Sequence, residues 1–336
     1  MDGFAHLAAG GYPPKKTPEV IDLLEELIEG ETAGDPMSGR KWLRRDLRQL
    51  SQDLQQVGIT LSHVTVRRIL KQQKYSLKAN RKEHSESTVE RDRQFRYIER
   101  VKRLFIWAGH PVISVDAKKK ELIGNFKNPG RSWQREAEEV DVHDFPSDAV
   151  IKATPYGIYD VIHNLGYVYV GISADTPQFA VDAICRWWQR KDRPRLAHEN
   201  KLLILCDAGG SNGYRKRNWK KQLQESLVDP CNLEVMVCHY PTGASKWNPI
   251  EHRLFSFISL NWAGIPLRSL KIMLNLIRGT TTNTGLKVYA ALIKRIYPTK
   301  VKVSDQDMAS LNILKRSICP HWNYTIKPRS GLDSKV

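Results

Sequence analysis

The sequence predicts an α/β fold, a mixed sheet flanked by helices, preceded by a small all-α region of helix-turn-helix type. Three observations predict it. From residue 111 onward, short apolar runs alternate with amphipathic helix patterns, the ordering of an α/β domain with a mixed sheet. Before residue 75, apolar residues keep helical spacing on both sides of a glycine turn. The charge is concentrated in two blocks around a near-neutral middle: residues 40–103 carry 18 basic and 7 acidic residues, and 259–336 carry 13 and 3.

Taken in order, Val20, Leu23, Leu24, Leu27 and Ile28 space a helix over 19–29, and GETAGDPMSGR then breaks it. Leu43, Leu47, Leu50 and Leu54 share one side of a helix over 43–56, which Gly58 stops. Ser62 is the N-cap of a second helix over about 63–73, with Val64, Val66, Ile69 and Leu70 partly inward. That helix presents His63, Thr65, Arg67, Arg68 and Lys71 as its polar set, residue types that contact bases and phosphates; an ordinary helical hairpin with solvated cations is the other reading. Residues 76–93 read as a polar linker and 94–108 as a helix.

PVISV (111–115) is a buried strand running into Asp116, and ELIGNF (121–126) pairs with it as a hairpin. Residues 127–153 are irregular; 156–162 and 167–172 are strands around an Asn-Leu-Gly turn. Asp175-Thr176-Pro177 starts a helix whose inner face carries Phe179, Ala183, Ile184, Trp187 and Trp188. LLILC (202–206) is a strand ending at Asp207, Arg217–Leu227 a helix and 233–240 a strand. Asn248-Pro249-Ile250-Glu251 opens a long helix through Leu260. The expected domains are a helical DNA-binding region over 1–75, a basic linker and helix over 76–108, a catalytic domain over 109–265 and a basic C-terminal region over 266–336.

Composition bounds the function. With 336 residues, 41% hydrophobic, the chain is long enough for a sizeable core and is not a disordered polymer. No run of about 18 apolar residues is present, so no membrane span is expected. The start lacks a long apolar core after a basic cluster, which argues against a secretion signal. Five cysteines, an odd number, read as buried thiols of a reducing compartment. A net charge of +17 calls for a polyanionic partner, and its concentration in two blocks favours nucleic acid.

Two strands run straight into aspartates, Asp116 and Asp207, and a third acid, Glu251, lies on the first turn of a helix. A carboxylate at the end of a buried strand is unfavourable unless solvent, a partner or a cation meets it. Three carboxylates brought together cannot all stay charged without cations, and such oxygen donors suit Mg²⁺ or Mn²⁺. Two such ions clamp the attacking and leaving oxygens of an in-line phosphoryl transfer, which needs no protein nucleophile. Two structural readings stand beside this one: the aspartates as water-facing strand ends, and Glu251 as the third residue of a capping box begun at Asn248. Lys118, Lys119 and Lys120 follow Asp116, and Lys246 and Arg253 bracket Glu251, as candidate phosphate contacts or solvated cations. Cys231, Cys238, His239, Cys319 and His321 lack the paired CxxC spacing of structural zinc.

The blocks VISVDAKKKELIGNFKNPG (112–130), VDVHDFP (140–146), LLILCDAGGSNGYR (202–215) and SKWNPIEHRLFSFISLNW (245–262) carry a resemblance. So do LKVYAAL (286–292), VKVSDQDM (301–308) and HWNYTIKP (321–328). Over about residues 17–328 the chain resembles the DDE transposases of the ISAzo-type insertion-sequence family, and its NPIEH block is similar to the third acidic motif of Tc/mariner-type transposases. The resemblance implies an RNase H-like (retroviral integrase-like) fold, with Asp116, Asp207 and Glu251 as catalytic residues holding two Mg²⁺ or Mn²⁺ ions. It implies strand cleavage and strand transfer on double-stranded DNA, element ends and target, by a homo-oligomer in a prokaryotic cytoplasm at the nucleoid. In it, Lys118, Lys119 and Lys246 would meet DNA near the cut and the N-terminal helices would read the ends. Such proteins carry a further helix-turn-helix upstream of the stretch matching residues 17–30; the first sixteen residues here are too few for it, which reads as a truncated or alternatively started copy. A metal nuclease that only hydrolyses and a non-catalytic DNA-binding remnant are the alternative functions.

Overall fold

The computed structural model describes residues 20–22, 24, 33–35, 40–42, 46–73, 75 and 89–329. The chain divides into two compact units, 1–83 and 84–336. In the first, short strands β1 (Ala33–Asp35) and β2 (Arg40–Trp42) pair antiparallel. The region is therefore not all-α; three-residue strands are too short to show an alternating pattern. Helix α1 spans Leu47–Gln56 and α2 spans His63–Gln72. The helix expected from 43 starts at Leu47, because the Asp46 side chain caps it by accepting from the Arg48 amide at 2.9 Å. It stops at Gly58, whose φ of +87° suits glycine. Ser62 caps α2, its hydroxyl accepting from the Thr65 amide at 3.2 Å. Leu24, Leu50, Leu54, Leu61, Val66 and Leu70 form this unit's core. Val64 faces solvent instead, 63% exposed, because position 64 lies off the 66/70 stripe. Of the helix expected over 19–29, only residues 20–22 and 24 are among the described residues, and they are helical; most of 76–93 lies outside them.

The second unit opens with α3 (Val89–Trp107), longer than the helix expected over 94–108. Then come β3 (Val112–Ala117), β4 (Glu121–Ile123), β5 (Ile151–Asp160), β6 (Leu165–Gly171) and α4 (Pro177–Trp188). Strand β7 (Lys201–Cys206) leads to α5 (Arg217–Leu223), which continues through a π-helical turn, Gln224–Val228. Strand β8 (Glu234–His239) is followed by a π-helical turn, Glu251–Phe255, that runs into α6 (Ser256–Asn261). Helix α7 (Leu270–Arg278), β9 (Lys287–Ile293), α8 (Asp305–Ala309), β10 (Ile313–Lys315) and β11 (Asn323–Ile326) complete it.

The strands form one mixed sheet in the order β10-β11-β8-β7-β3-β5-β6-β9, with β4 paired to β5. The β3–β7, β7–β8 and β6–β9 pairs are parallel and the others antiparallel. The hairpin expected between 111–115 and 121–126 does not form. Both edges of β3 are taken, by β5 and β7, so β4 joins β5. The stretch expected as a basic C-terminal region supplies β9 at one edge and β10 and β11 at the other.

Alternation along the strands divides the core into two faces. Ile113, Val115, Leu202, Ile204, Val235 and Val237 face α4 and α5, whose Phe179, Ile184, Trp187, Trp219 and Leu223 cover them. On the opposite face, Val112, Leu203, Leu205 and Met236 meet Ile98 and Val101 of α3. Val168 and Val170 on that face meet Ile250, Leu254, Phe255, Met273 and Ile277 of the helical segment 250–278. Covering both faces is why the central strands read as continuous apolar runs. Trp187 and Trp262 are buried core residues and Trp188 packs partly buried, as their helix positions predict. All five cysteines are free, and among the described residues no helix is long and apolar enough to cross a membrane.

Candidate active site

The two aspartates are neighbours by register. Strands β3 and β7 run parallel with Val115 opposite Cys206, so the next residues, Asp116 and Asp207, stand side by side at the C-terminal end of the sheet. Ligands of open α/β sheets bind at that end. Both line a cleft of about 330 Å³ with Ala208, Gly209, Gly210 and the Pro241–Gly243 turn. Asp116 also lies opposite Gly157 of β5. A Cβ on Gly157 would stand 2.6 Å from Phe255 and 2.8 Å from Ile250. Glycine there lets the segment carrying Glu251 lie directly on the strand next to Asp116.

A buried hydrogen-bonded link ties together the segments that carry the three carboxylates. Asn248, fully buried, donates from Nδ2 to Asp207 Oδ1 at 3.0 Å. Its Oδ1 accepts from the Ser114 hydroxyl, and that hydroxyl accepts from the Ile250 amide at 3.0 Å. Ser114 lies two residues before Asp116, and Ile250 adjoins Glu251. The Asn248 side chain therefore does not cap its own helix, as a capping box requires; only its backbone carbonyl receives the Glu251 amide, at 3.1 Å. A second relay supports the Asp207 backbone. Trp219 Nε1 donates to the Tyr324 hydroxyl at 2.9 Å, and that hydroxyl lies 3.1 Å from His239 Nε2. His239 Nδ1 is 3.0 Å from the Asp207 carbonyl. Burial pushes His239 down to about 4, so it is neutral at pH 7 and donates from Nδ1 to that carbonyl. Asn248, Ser114 and His239 are the site residues that sequence reasoning missed. The Asn-Pro-Ile-Glu run held the signal for Asn248, whose spacing from Glu251 is equally that of a capping box.

The electrostatics are those of crowded acids. Burial, then the charge of Asp207, then that of Glu251 raise Asp116 to about 8, against the Ala117 amide that donates to its Oδ1 at 2.8 Å. Burial and the two neighbouring charges thus favour the protonated form of Asp116. Burial and Glu251 raise Asp207 to about 6, while the Asn248 amide pulls it down. Glu251 thus faces both aspartates, although it is not among the residues lining the cleft. Among the described residues no three His, Cys, Asp or Glu side chains already stand as a ligand cage. The donor set still fits a hard divalent cation, since every candidate ligand is a carboxylate oxygen and both aspartates are raised by neighbouring negative charge.

Of the other expected residues, Lys118 is half-buried, paired with Glu121 at 3.1 Å and set over the Trp262 ring at 4.7 Å. It braces the sheet end beside Asp116. Lys119 and Lys120 are exposed. Lys246 is exposed with its ammonium 5.3 Å from the Trp247 ring. In the first unit His63, Arg67, Arg68 and Lys71 are exposed on α2, whereas the half-buried Thr65 bonds Ser62 across the cap at 3.0 Å.

Three antiparallel strands, a crossover helix and two parallel strands, carrying acids at adjacent strand ends, define an RNase H-like enzyme of the polynucleotidyl transferase class. The family described as Rhodopirellula transposase DDE domain (ISAZ013 type) matches residues 23–328, and the chain belongs to it. It is a transposase-family protein. No curated protein matches the chain. Among solved structures it is similar to the Mos1 mariner paired end complex with Mn, at 19% identity and a TM-score of 0.42, covering 81% of this chain and 72% of that one. It is also similar to the Mos1 strand transfer complex, at 18% identity and a TM-score of 0.42, covering 80% and 70%.

Proposed function

We propose that the chain cleaves a phosphodiester at the ends of its insertion element and joins the freed 3′-hydroxyl to target DNA, with Asp116, Asp207 and Glu251 as the catalytic carboxylates. They would hold two Mg²⁺ or Mn²⁺ ions. When bound, such ions supply charge stabilisation to the five-coordinate phosphorus and activate the attacking oxygen. The protein's part is positioning. Asn248 and His239 fix Asp207 by its side chain and its backbone, and Ser114 couples β3 to the start of the Glu251 segment. In cleavage a bond forms from water oxygen to phosphorus and the bond from phosphorus to the 3′-oxygen breaks. In transfer the freed 3′-oxygen bonds to a target phosphorus and that phosphodiester opens.

The observation that supports this reading is the adjacency of Asp116 and Asp207 at neighbouring strand ends, with the charge of Glu251 raising both and that of Asp207 raising Asp116. Basic segments 40–103 and 259–336 suit DNA as the partner. The exposed α2 residues His63, Arg67, Arg68 and Lys71 would read element ends, with two copies joined on paired ends. The test is incubation with duplexes carrying its element's ends in Mg²⁺ or Mn²⁺, comparing the intact chain with Asp207→Ala. Cleavage by the intact chain alone, and joining of a pre-cut end to plasmid, are expected. Equal cleavage by both proteins overturns the triad, and cleavage without joining leaves a nuclease.

A further inference from the structure

Helix α3 carries a row of cations, unpaired among the described residues, that leads away from the carboxylate cleft. Its inner face is pinned: Ile98 and Val101 are buried in the core, and the buried Gln94 donates to the His239 carbonyl at 2.9 Å. Its first half is also fixed to the cleft rim. Arg91 donates to the carbonyl of Thr242, a cleft-lining residue, at 3.2 Å. The Phe95 ring packs on Tyr240 and Trp247, with centroids 6.1 and 5.8 Å away. This orientation turns Arg96, Arg100 and Arg103, spaced four and three apart, toward solvent. All three are exposed, and none forms an ion pair among the described residues. The acid within the row, Glu99, is taken by Lys102 at 2.7 Å. Lys246, beside Trp247, lies where the row meets the rim.

We propose that Arg96, Arg100 and Arg103 form a track for the phosphate backbone of the duplex that leaves the cleft. From the first to the third arginine the helix rises about 10 Å, and each long side chain can reach a separate phosphate, so the row offers up to about three backbone contacts. Three like charges held at helical spacing repel one another unless a polyanion meets them. Fixing α3 to the cleft rim through Arg91 and Phe95 sets the track in register with the cut. The inference rests on the proposed site for where the cut strand lies, but its test involves no cleavage.

The experiment measures binding of a 30-base-pair duplex of arbitrary sequence, without divalent ions, from about 50 to 300 mM KCl. It compares the intact chain with a triple variant, Arg96→Gln, Arg100→Gln and Arg103→Gln. All three positions are exposed, so the fold is retained. The slope of log affinity against log salt is expected to fall by about 2 to 3, at ~0.9 per lost phosphate contact. A charge-matched variant with the exposed Lys127, Lys152 and Lys191, which lie outside both basic segments, changed to Gln should alter the slope by less than about 1. An unchanged slope in the arginine variant, or an equal fall in both, overturns the track. If the slope falls as expected while Asp207→Ala still cleaves, the chemistry is misassigned and the track stands.

Discussion

Replacing Asp116 by asparagine should stabilise the metal-free protein while abolishing its chemistry. The folded carboxyl titrates at about 8 against an ordinary 3.8, chiefly because burial and then Asp207 oppose its charge. Above pH 4 the unfolded chain releases this proton and the folded chain keeps it, so the native state binds more protons. Stability therefore falls as pH rises from about 4 and levels off above about 8. At ~1.4 kcal/mol per pH unit the penalty reaches about 4 kcal/mol at pH 7, an upper value because Asp207 and Glu251 share the same proton. Asparagine keeps an oxygen for the Ala117 amide, offers an amide to Glu251 and carries no charge. Urea unfolding followed by tryptophan fluorescence, with EDTA present, should show the variant ahead by roughly 1 to 2 kcal/mol at pH 5 and 3 to 4 at pH 8. Added Mn²⁺ should raise the wild-type midpoint and leave the variant's unchanged. A gap that does not widen with pH would refute the crowding of charge on which this reasoning depends.

Two further outcomes follow from the geometry. Asn248→Ala removes the donor to Asp207 and the acceptor for Ser114 in a buried setting, which should cost about 1 to 3 kcal/mol in urea unfolding. End cleavage should fall more than the fraction unfolded accounts for; unaltered cleavage per folded molecule would remove Asn248 from the positioning scheme. Gly157→Ala puts a methyl 2.6 Å from Phe255, so a loss of about 1 to 3 kcal/mol is expected, together with weaker Mn²⁺ binding as the Glu251 segment is pushed off β5.

The acids were legible because apolar strands that end in a carboxylate are unusual, and VISV-Asp116 and LLILC-Asp207 both do so. Their parallel adjacency was not legible, since pairing between strands 91 residues apart leaves no local pattern. The role of Asn248 was not legible, because an asparagine three residues before a glutamate satisfies the capping-box pattern wherever its side chain goes. Strand β5 begins at Ile151, earlier than the expected 156, because Pro155 and the charged stretch before it obscure the alternation. Strands β10 and β11, at one end of the sheet, are three and four residues long and hide within polar sequence that reads as loop. The long helix expected after Asn248 forms over 249–261, with the π-helical turn Glu251–Phe255 inside it ahead of α6; helical periodicity alone does not reveal that turn.

Calorimetric titration of Mn²⁺ into the intact chain and into Glu251→Gln at pH 7 puts the joint action of the three acids to its most direct trial. The substitution is isosteric, and Glu251 comes from a different part of the chain than either strand-end aspartate. The account predicts saturable binding by the intact chain and at least tenfold weaker binding by the variant, with the same loss for Asp207→Asn. Binding by Glu251→Gln equal to that of the intact chain would contradict it.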